Sequence, residues 1–264
     1  MYVFKYQKAS SVADAAKAIG ADGDAKLVAG GMTLIPTLKQ RLAKPSTLID
    51  LGSIAELKGI KKDGNAIVIG AMTKHIDVAN SPEVKSAIPA LADLAAHIGD
   101  PAVRNRGTIG GSISNNDPAA DYPSAVMALN ATIVTNKRRI AADDFFKGMF
   151  ETALEAGEIV TAVSFPIPEK AAYMKFPNPA SRYAIVGTFV AKTGNNVRVG
   201  VTGAGPVVFR WKDAEAALGK SWNADALKSL SVKADGLNAD IHASSEYRAH
   251  LVGVMARRAV AKAG

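Results

Sequence analysis

Two stretches of this chain carry residue types that could hold a phosphate. The first is Val28-Ala29-Gly30-Gly31-Met32-Thr33-Leu34, where a short apolar run meets two residues without side chains and a helical pattern begins at once. Glycine permits backbone torsions and close approaches that a β-carbon forbids. The start of a helix adds unpaired N–H groups at the positive end of its dipole, and the combination is a ready anion cradle. An ordinary tight strand-to-helix turn has the same composition, so this segment alone leaves both readings open.

The second stretch runs from Arg104 to Asp121 and reads as a long Gly/Asn/Asp loop containing Thr108-Ile109-Gly110-Gly111-Ser112 and then Asn116-Asp117-Pro118-Ala119-Ala120-Asp121. Structureless segments of this length are uncommon inside compact domains unless they serve a function. Gly110 and Gly111 expose backbone amides, and Thr108, Ser112, Asn115 and Asn116 supply small polar groups. Asp121 could cap the helix that follows or accept hydrogen bonds from sugar-like hydroxyls. Two Gly-Gly cradles suit a ligand with two linked phosphates better than a mononucleotide. Neither has the G-x-G-x-x-G spacing of a Rossmann site or the Gly-Lys-Ser/Thr ending of a P-loop, so a nucleotide site of another kind is required.

The elements that must position these loops follow from periodicity and punctuation. Residues 2–6, 26–29 and 46–50 read as strands, separated by helices over 11–19 and from Thr33 to about Leu42, which outlines a small α/β unit. Next come a strand at 67–69, helices at 75–80, 89–96 and 122–129, a hairpin turning at Asn136-Lys137, and a strand at 158–165. Pro166 and Pro168 close that strand and mark the preferred boundary. Strands at 183–192 and 197–201 and helices at 211–218, 224–230 and 246–262 complete an α+β chain. The expected limits are one domain over 1–168, divided near residue 54 into 1–54 and 55–168, and a second over 169–264.

Composition narrows the chemistry. The 264 residues are 48% hydrophobic, ample for a packed core. There is no cysteine, which excludes disulfides, thiol catalysis and iron–sulfur clusters held by this chain's own thiolates. The four histidines have no metal-ligand spacing, so the expectation is no metal site, and any redox chemistry needs an organic cofactor. The net charge of +8, from 32 basic and 24 acidic side chains, is spread without a basic run interleaved with aromatics, and nucleic acid is not an expected partner. No run approaches the roughly 18 apolar residues of a membrane span, and the N-terminus lacks a signal-peptide pattern, which reads as a cytoplasmic protein.

On Ala29-Gly30-Gly31, Thr108-Ile109-Gly110-Gly111-Ser112 with Asp117-Pro118-Ala119-Ala120-Asp121, and Ser181-Arg182-Tyr183-Ala184-Ile185-Val186-Gly187, the chain resembles the FAD-binding medium subunit of molybdenum hydroxylases, the group containing carbon monoxide and xanthine dehydrogenases. The likeness runs over nearly the whole chain. It implies an FAD-binding fold of the p-cresol methylhydroxylase type, with two α+β subdomains, followed by a C-terminal α+β domain of carbon monoxide dehydrogenase flavoprotein type. It implies that Val28 through Leu34 and Thr108 through Ser112 grip the pyrophosphate of FAD, largely through amides. Asp121 would hold ribityl or ribose hydroxyls, Asn116 and Asp117 would lie along the cofactor, and Ile159 and Val160 would contact its flavin or adenine end. Lys175 and Tyr183 would stand near the isoalloxazine ring, the lysine favouring the anionic reduced flavin by charge attraction and the tyrosine covering one face. Met32 replaces a polar residue common in close relatives and supplies no strong donor.

The resemblance further implies an electron relay. A large subunit with a molybdenum cofactor oxidises the substrate, a small subunit conducts electrons through 2Fe–2S clusters to this FAD, and an external acceptor removes them, in a dimer of heterotrimers. No catalytic residue is expected on this chain. Two rivals are a self-contained flavin oxidoreductase of the same fold, for which no convincing acid or base is found near the ring, and a flavin-free binding or assembly module. Valine at Gly110 or Gly111 is expected to abolish flavin retention by placing a β-carbon where the pyrophosphate sits.

Overall fold

The computed structural model describes residues 1–264. The chain begins with β1 (Lys5–Lys8), α1 (Val12–Ala21), β2 (Lys26–Val28), α2 (Leu34–Lys39) and β3 (Thr47–Asp50). The strands form a parallel sheet in the order β1-β3-β2, as two strand–helix–strand connections require. Ser11 caps α1, its side chain accepting from the Asp14 amide. α2 stops at Lys39, three residues short of the expectation, because Arg41 turns into the left-handed region at φ 59°. Thr33 stands at the start of α2 but makes no side-chain cap bond.

A single 3₁₀ turn, Ala55–Leu57, leads into β4 (Ile60–Asp63) and β5 (Ala66–Gly70). A run of short helices follows: α3 (His75–Asn80), α4 (Pro82–Ala87), α5 (Pro89–Ala96), α6 (Pro101–Arg104), α7 (Ile109–Asn115) and α8 (Tyr122–Ala128). Then come β6 (Thr132–Thr135), β7 (Arg139–Ala141), α9 (Ala142–Phe145), β8 (Phe146–Gly148), β9 (Glu151–Thr152) and β10 (Val160–Pro166). Strands β4-β5-β10-β6-β7 make one antiparallel sheet in that order. Here the expected loop is corrected: Arg104–Asp121 contains the helix α7, begun by Thr108, whose hydroxyl accepts from the Gly111 amide. Two glycines and β-branched Ile109 and Ile113 hide that helix from propensity, and burial of Ile109, Gly110 and Ile113 stabilises it instead.

The last third is an antiparallel sheet, β11 (Lys170–Pro177), β12 (Ala184–Thr193), β13 (Asn196–Thr202) and β14 (Phe209–Arg210), with α10 (Lys212–Lys220) and α11 (Ser245–Ala263). β11 was not expected, since its lysines and alanines are weak strand formers; its register with β12 along Lys170–Lys192 to Phe176–Val186 decides it. The helix expected at 224–230 is only a 3₁₀ turn, Ala224–Leu227. One face of this sheet, with Tyr173, Phe189 and Ala191, joins the core of Ile67, Leu91, Tyr122, Val126 and Val163. The other, with Ala172, Val190 and Val199, joins a core completed by Leu218, Val252 and Met255. A third, smaller core lies under the parallel sheet and includes Ala15, Ile49, Leu57, Met72 and Ile159. No helix is long and apolar enough to cross a membrane.

Candidate functional site

The two glycine segments, some 80 positions apart in the chain, meet at one cavity of about 540 Å³, within the usual range of ligand pockets. Ala29, Gly30, Gly31, Met32, Thr33 and Leu34 line it from the first segment, and Thr108, Gly110, Gly111 and Ser112 from the second. The segments touch directly. A β-carbon on Gly111 would stand 3.6 Å from Ala29 Cβ and 3.0 Å from Thr108 Oγ1, and one on Gly30 would collide with the Arg106 carbonyl and Gly107. Gly31 takes φ 73°, a conformation that side chains rarely adopt.

The amides of the two loops are differently spent. Those of Ala29 through Thr33 donate no hydrogen bond within the chain, so five consecutive donors remain for a ligand. In the second loop the Ile109 amide donates to Thr73 O at 3.1 Å, Gly110 to Ala71 O at 2.9 Å, and Ser112 to Thr108 O at 3.0 Å. The expectation that both loops bind mainly through amides is therefore corrected: the first loop carries the free donors, and the second is a helix N-terminus standing beside them. The reason expected for Gly110 is corrected too. Its β-carbon would lie 2.6 Å from Ala71 Cβ and 2.7 Å from Ala71 O, inside the protein rather than in the cavity.

Asp117, Asp121, Ile159, Val160 and Tyr183 also line the cavity. Asp117 Oδ1 accepts from the Ala119 amide at 2.9 Å, and burial raises its carboxyl from the usual range. Asp121 makes no cap bond to α8, so the capping reading falls. Its buried carboxylate takes the Tyr173 hydroxyl at 2.5 Å on Oδ1 and Lys175 Nζ at 3.0 Å on Oδ1 and 3.1 Å on Oδ2. Burial raises the Asp121 carboxyl above the usual range, and the Lys175 charge and the Tyr173 hydroxyl offset this only in part. Tyr183 is 46% exposed, on a turn that Asn178 organises by accepting from the Ala180 and Ser181 amides. Partial burial and Asp117 raise its hydroxyl, and Thr33 opposes them.

Four expected residues do not line the cavity. Val28 ends β2 behind the loop, with its carbonyl accepting from Leu51. Ile109 is fully buried in the core. Asn116, at φ 45°, ends α7 and donates to Gly148 O and Glu151 O, tying the β8–β9 hairpin in place. Lys175 is turned inward onto Asp121 and His97 O, its charge matched by a carboxylate.

His75 and Phe150 also line the cavity. His75 is buried, with Nδ1 unpartnered and its ring 5.4 Å from that of Tyr122. Burial, assisted by Arg104, lowers its pKa to about 4 and keeps it neutral. Phe150 reaches the cavity from the β8–β9 turn at φ 58°, its amide donating to Asn116 O. No local signal marks either, because His75 meets the second loop at Gly107, 32 positions away. His97 is the exposed C-cap of α5, with Nδ1 2.7 Å from Asp93 O.

Comparison with known proteins finds two family models in succession along the chain. The family described as "FAD binding domain in molybdopterin dehydrogenase" matches residues 2–168, and the "CO dehydrogenase flavoprotein C-terminal domain" matches 171–263. The chain is 35% identical to the nicotine 6-hydroxylase medium subunit of Paenarthrobacter nicotinovorans, over 98% of this chain and 97% of that one. It is 36% identical to the carbon monoxide dehydrogenase medium chain of Hydrogenophaga pseudoflava, over 97% and 96%. A solved carbon monoxide dehydrogenase from the same organism superimposes with a TM-score of 0.90 at 36% identity, covering 99% of this chain and 97% of that one.

Proposed function

Since the chain belongs to the FAD-binding medium subunits of molybdenum hydroxylases, we propose that FAD lies in the cavity between the two glycine segments. The single observation that carries this seat is the row of five free amides, Ala29 through Thr33, facing the same cavity as the N-terminus of α7. Anionic oxygens are the partners such donors accept. Bound there, FAD supplies two-electron redox chemistry with the ability to pass electrons singly.

The residues divide the work by position. The amides from Ala29 to Thr33 hold the diphosphate, and Thr108, Gly111 and Ser112 complete the wall beside it. Asp121 accepts from a hydroxyl chain. Ile159 and Val160 give an apolar wall, and Tyr183 covers the opening with an exposed ring. Met32 lines the cavity without a strong donor, which the amides on either side make unnecessary. The domain limits proposed are 1–54, 55–168 and 169–264, and the family matches at 2–168 and 171–263 support the second boundary.

The chain acts as the electron-transfer subunit of an oxidoreductase of several subunits, as the relatives' medium-chain names imply. We assign its partners as an iron–sulfur small subunit and a molybdenum large subunit in a dimer of heterotrimers, which agrees with the absence of cysteine here. The proposal places the assembly in the cytoplasm. Purification of the chain expressed with its neighbouring reading frames tests this. The expected result is one FAD per chain and co-elution with polypeptides carrying iron and molybdenum. A colourless chain that elutes alone would refute it.

A further inference from the structure

The wall of the cavity formed by Asp117–Asp121 belongs to the N-terminal 168 residues in sequence, but the C-terminal sheet holds it in place. The Gly203 amide donates to Pro118 O at 2.7 Å, the Ala184 amide to Ala119 O at 3.4 Å, and the Thr202 hydroxyl reaches Ala120 O at 2.6 Å. Tyr173 and Lys175, two apart on β11 and so on one face of it, both end on the Asp121 carboxylate. Lys175 also donates to His97 O at 3.1 Å, which fixes its ammonium from a second side.

A carboxylate has about four lone-pair sites. Tyr173 and Lys175 occupy them with contacts at 2.5, 3.0 and 3.1 Å, leaving acceptor capacity on a group that lines the cavity. A buried carboxylate without these partners would protonate, and would then offer a proton where the ligand's hydroxyls need an acceptor. We propose that Lys175 and Tyr173 are positioning residues of the FAD seat: they pair with the Asp121 carboxylate and orient it, so the C-terminal sheet is an integral part of the cofactor site. This rests on the FAD reading above, and it gives Lys175 a task different from charge attraction at the isoalloxazine ring.

The test is a double-mutant cycle on the full-length chain with Asp121→Asn, Lys175→Met and both together, reading FAD affinity by fluorescence quenching and the bound flavin by visible circular dichroism. The double variant removes both charges and so folds without an unpaired buried ion. Each single substitution is expected to raise the Kd at least about tenfold and to alter the flavin dichroism, while Lys175→Met adds little once Asp121 is Asn. An unchanged Kd and spectrum in Lys175→Met would overturn the role, as would a Lys175→Met loss that adds in full to that of Asp121→Asn. A wild-type chain that takes up no FAD would instead overturn the seat itself, and this role with it.

Discussion

Gly110 and Gly111 are neighbours with different reasons to be glycine. Gly110 has no room because Ala71 stands behind it, whereas Gly111 borders the cavity between Thr108 and Ala29. Gly110→Ala is therefore expected to lower the melting temperature of the FAD-free protein, through overpacking of about 1–3 kcal/mol. Gly111→Ala should leave that temperature nearly unchanged and weaken FAD binding. Thermal melts of both apo variants, with FAD titrations beside them, separate the two effects. His75 makes a pH prediction. Its folded pKa is about 4 against 6.5 unfolded, so the unfolded chain binds the extra proton between those values. Stability is complete above about pH 6.5 and falls as pH drops toward 4, by about 3 kcal/mol in all. Denaturant melts across that range should reveal the loss, and His75→Gln should remove this component of it.

At the scale of elements, α7 and the β8–β9 hairpin are joined through one side chain. Asn116 ends the helix in the left-handed region, which asparagine tolerates better than most residues, and its amide donates at 2.7 and 2.8 Å to the hairpin carbonyls. Asn116→Ala is expected to cost about 2 kcal/mol, from backbone strain and two orphaned carbonyls. The hairpin carries Met149 and Phe150, 52% and 58% exposed. Limited proteolysis of the variant should thus cut first between 146 and 152, and an unchanged cleavage pattern would argue against the tie. α3 and α5 stand at the bounds expected from sequence because apolar periodicity and, for α5, a first-turn proline are local signals. α7 and β11 carry no such signal and owe their conformation to what they touch.

The two halves of the molecule share a hydrophobic core and are also tied by a charge network. Arg198 on β13 donates to Met127 O at 2.7 Å and Asn130 Oδ1 at 2.9 Å and pairs with Asp143. Arg210 spans Asp143 and Glu215. Loss of one member of such a network leaves polar groups unpaired, moderated here because Asp143 is 43% exposed. Arg198→Met is expected to destabilise the chain by about 2 kcal/mol and to split its unfolding into two transitions, one for each side of the interface. Calorimetry that still records a single transition would count against this coupling.

Sequence alone indicated an α+β chain, excluded a thiolate-bound cluster, and marked Gly30-Gly31 and Gly110-Gly111 as candidate phosphate loops. These follow from residue type and short-range spacing, which are properties of neighbours along the chain. Only the tertiary structure decided which glycine amides are free, that Lys175 faces Asp121 rather than the cavity, and that His75 and Phe150 join the wall. Each of those depends on groups brought together from separate elements. A side chain's partner across such a distance is set by how sheets and helices close on one another, and local composition carries no record of it.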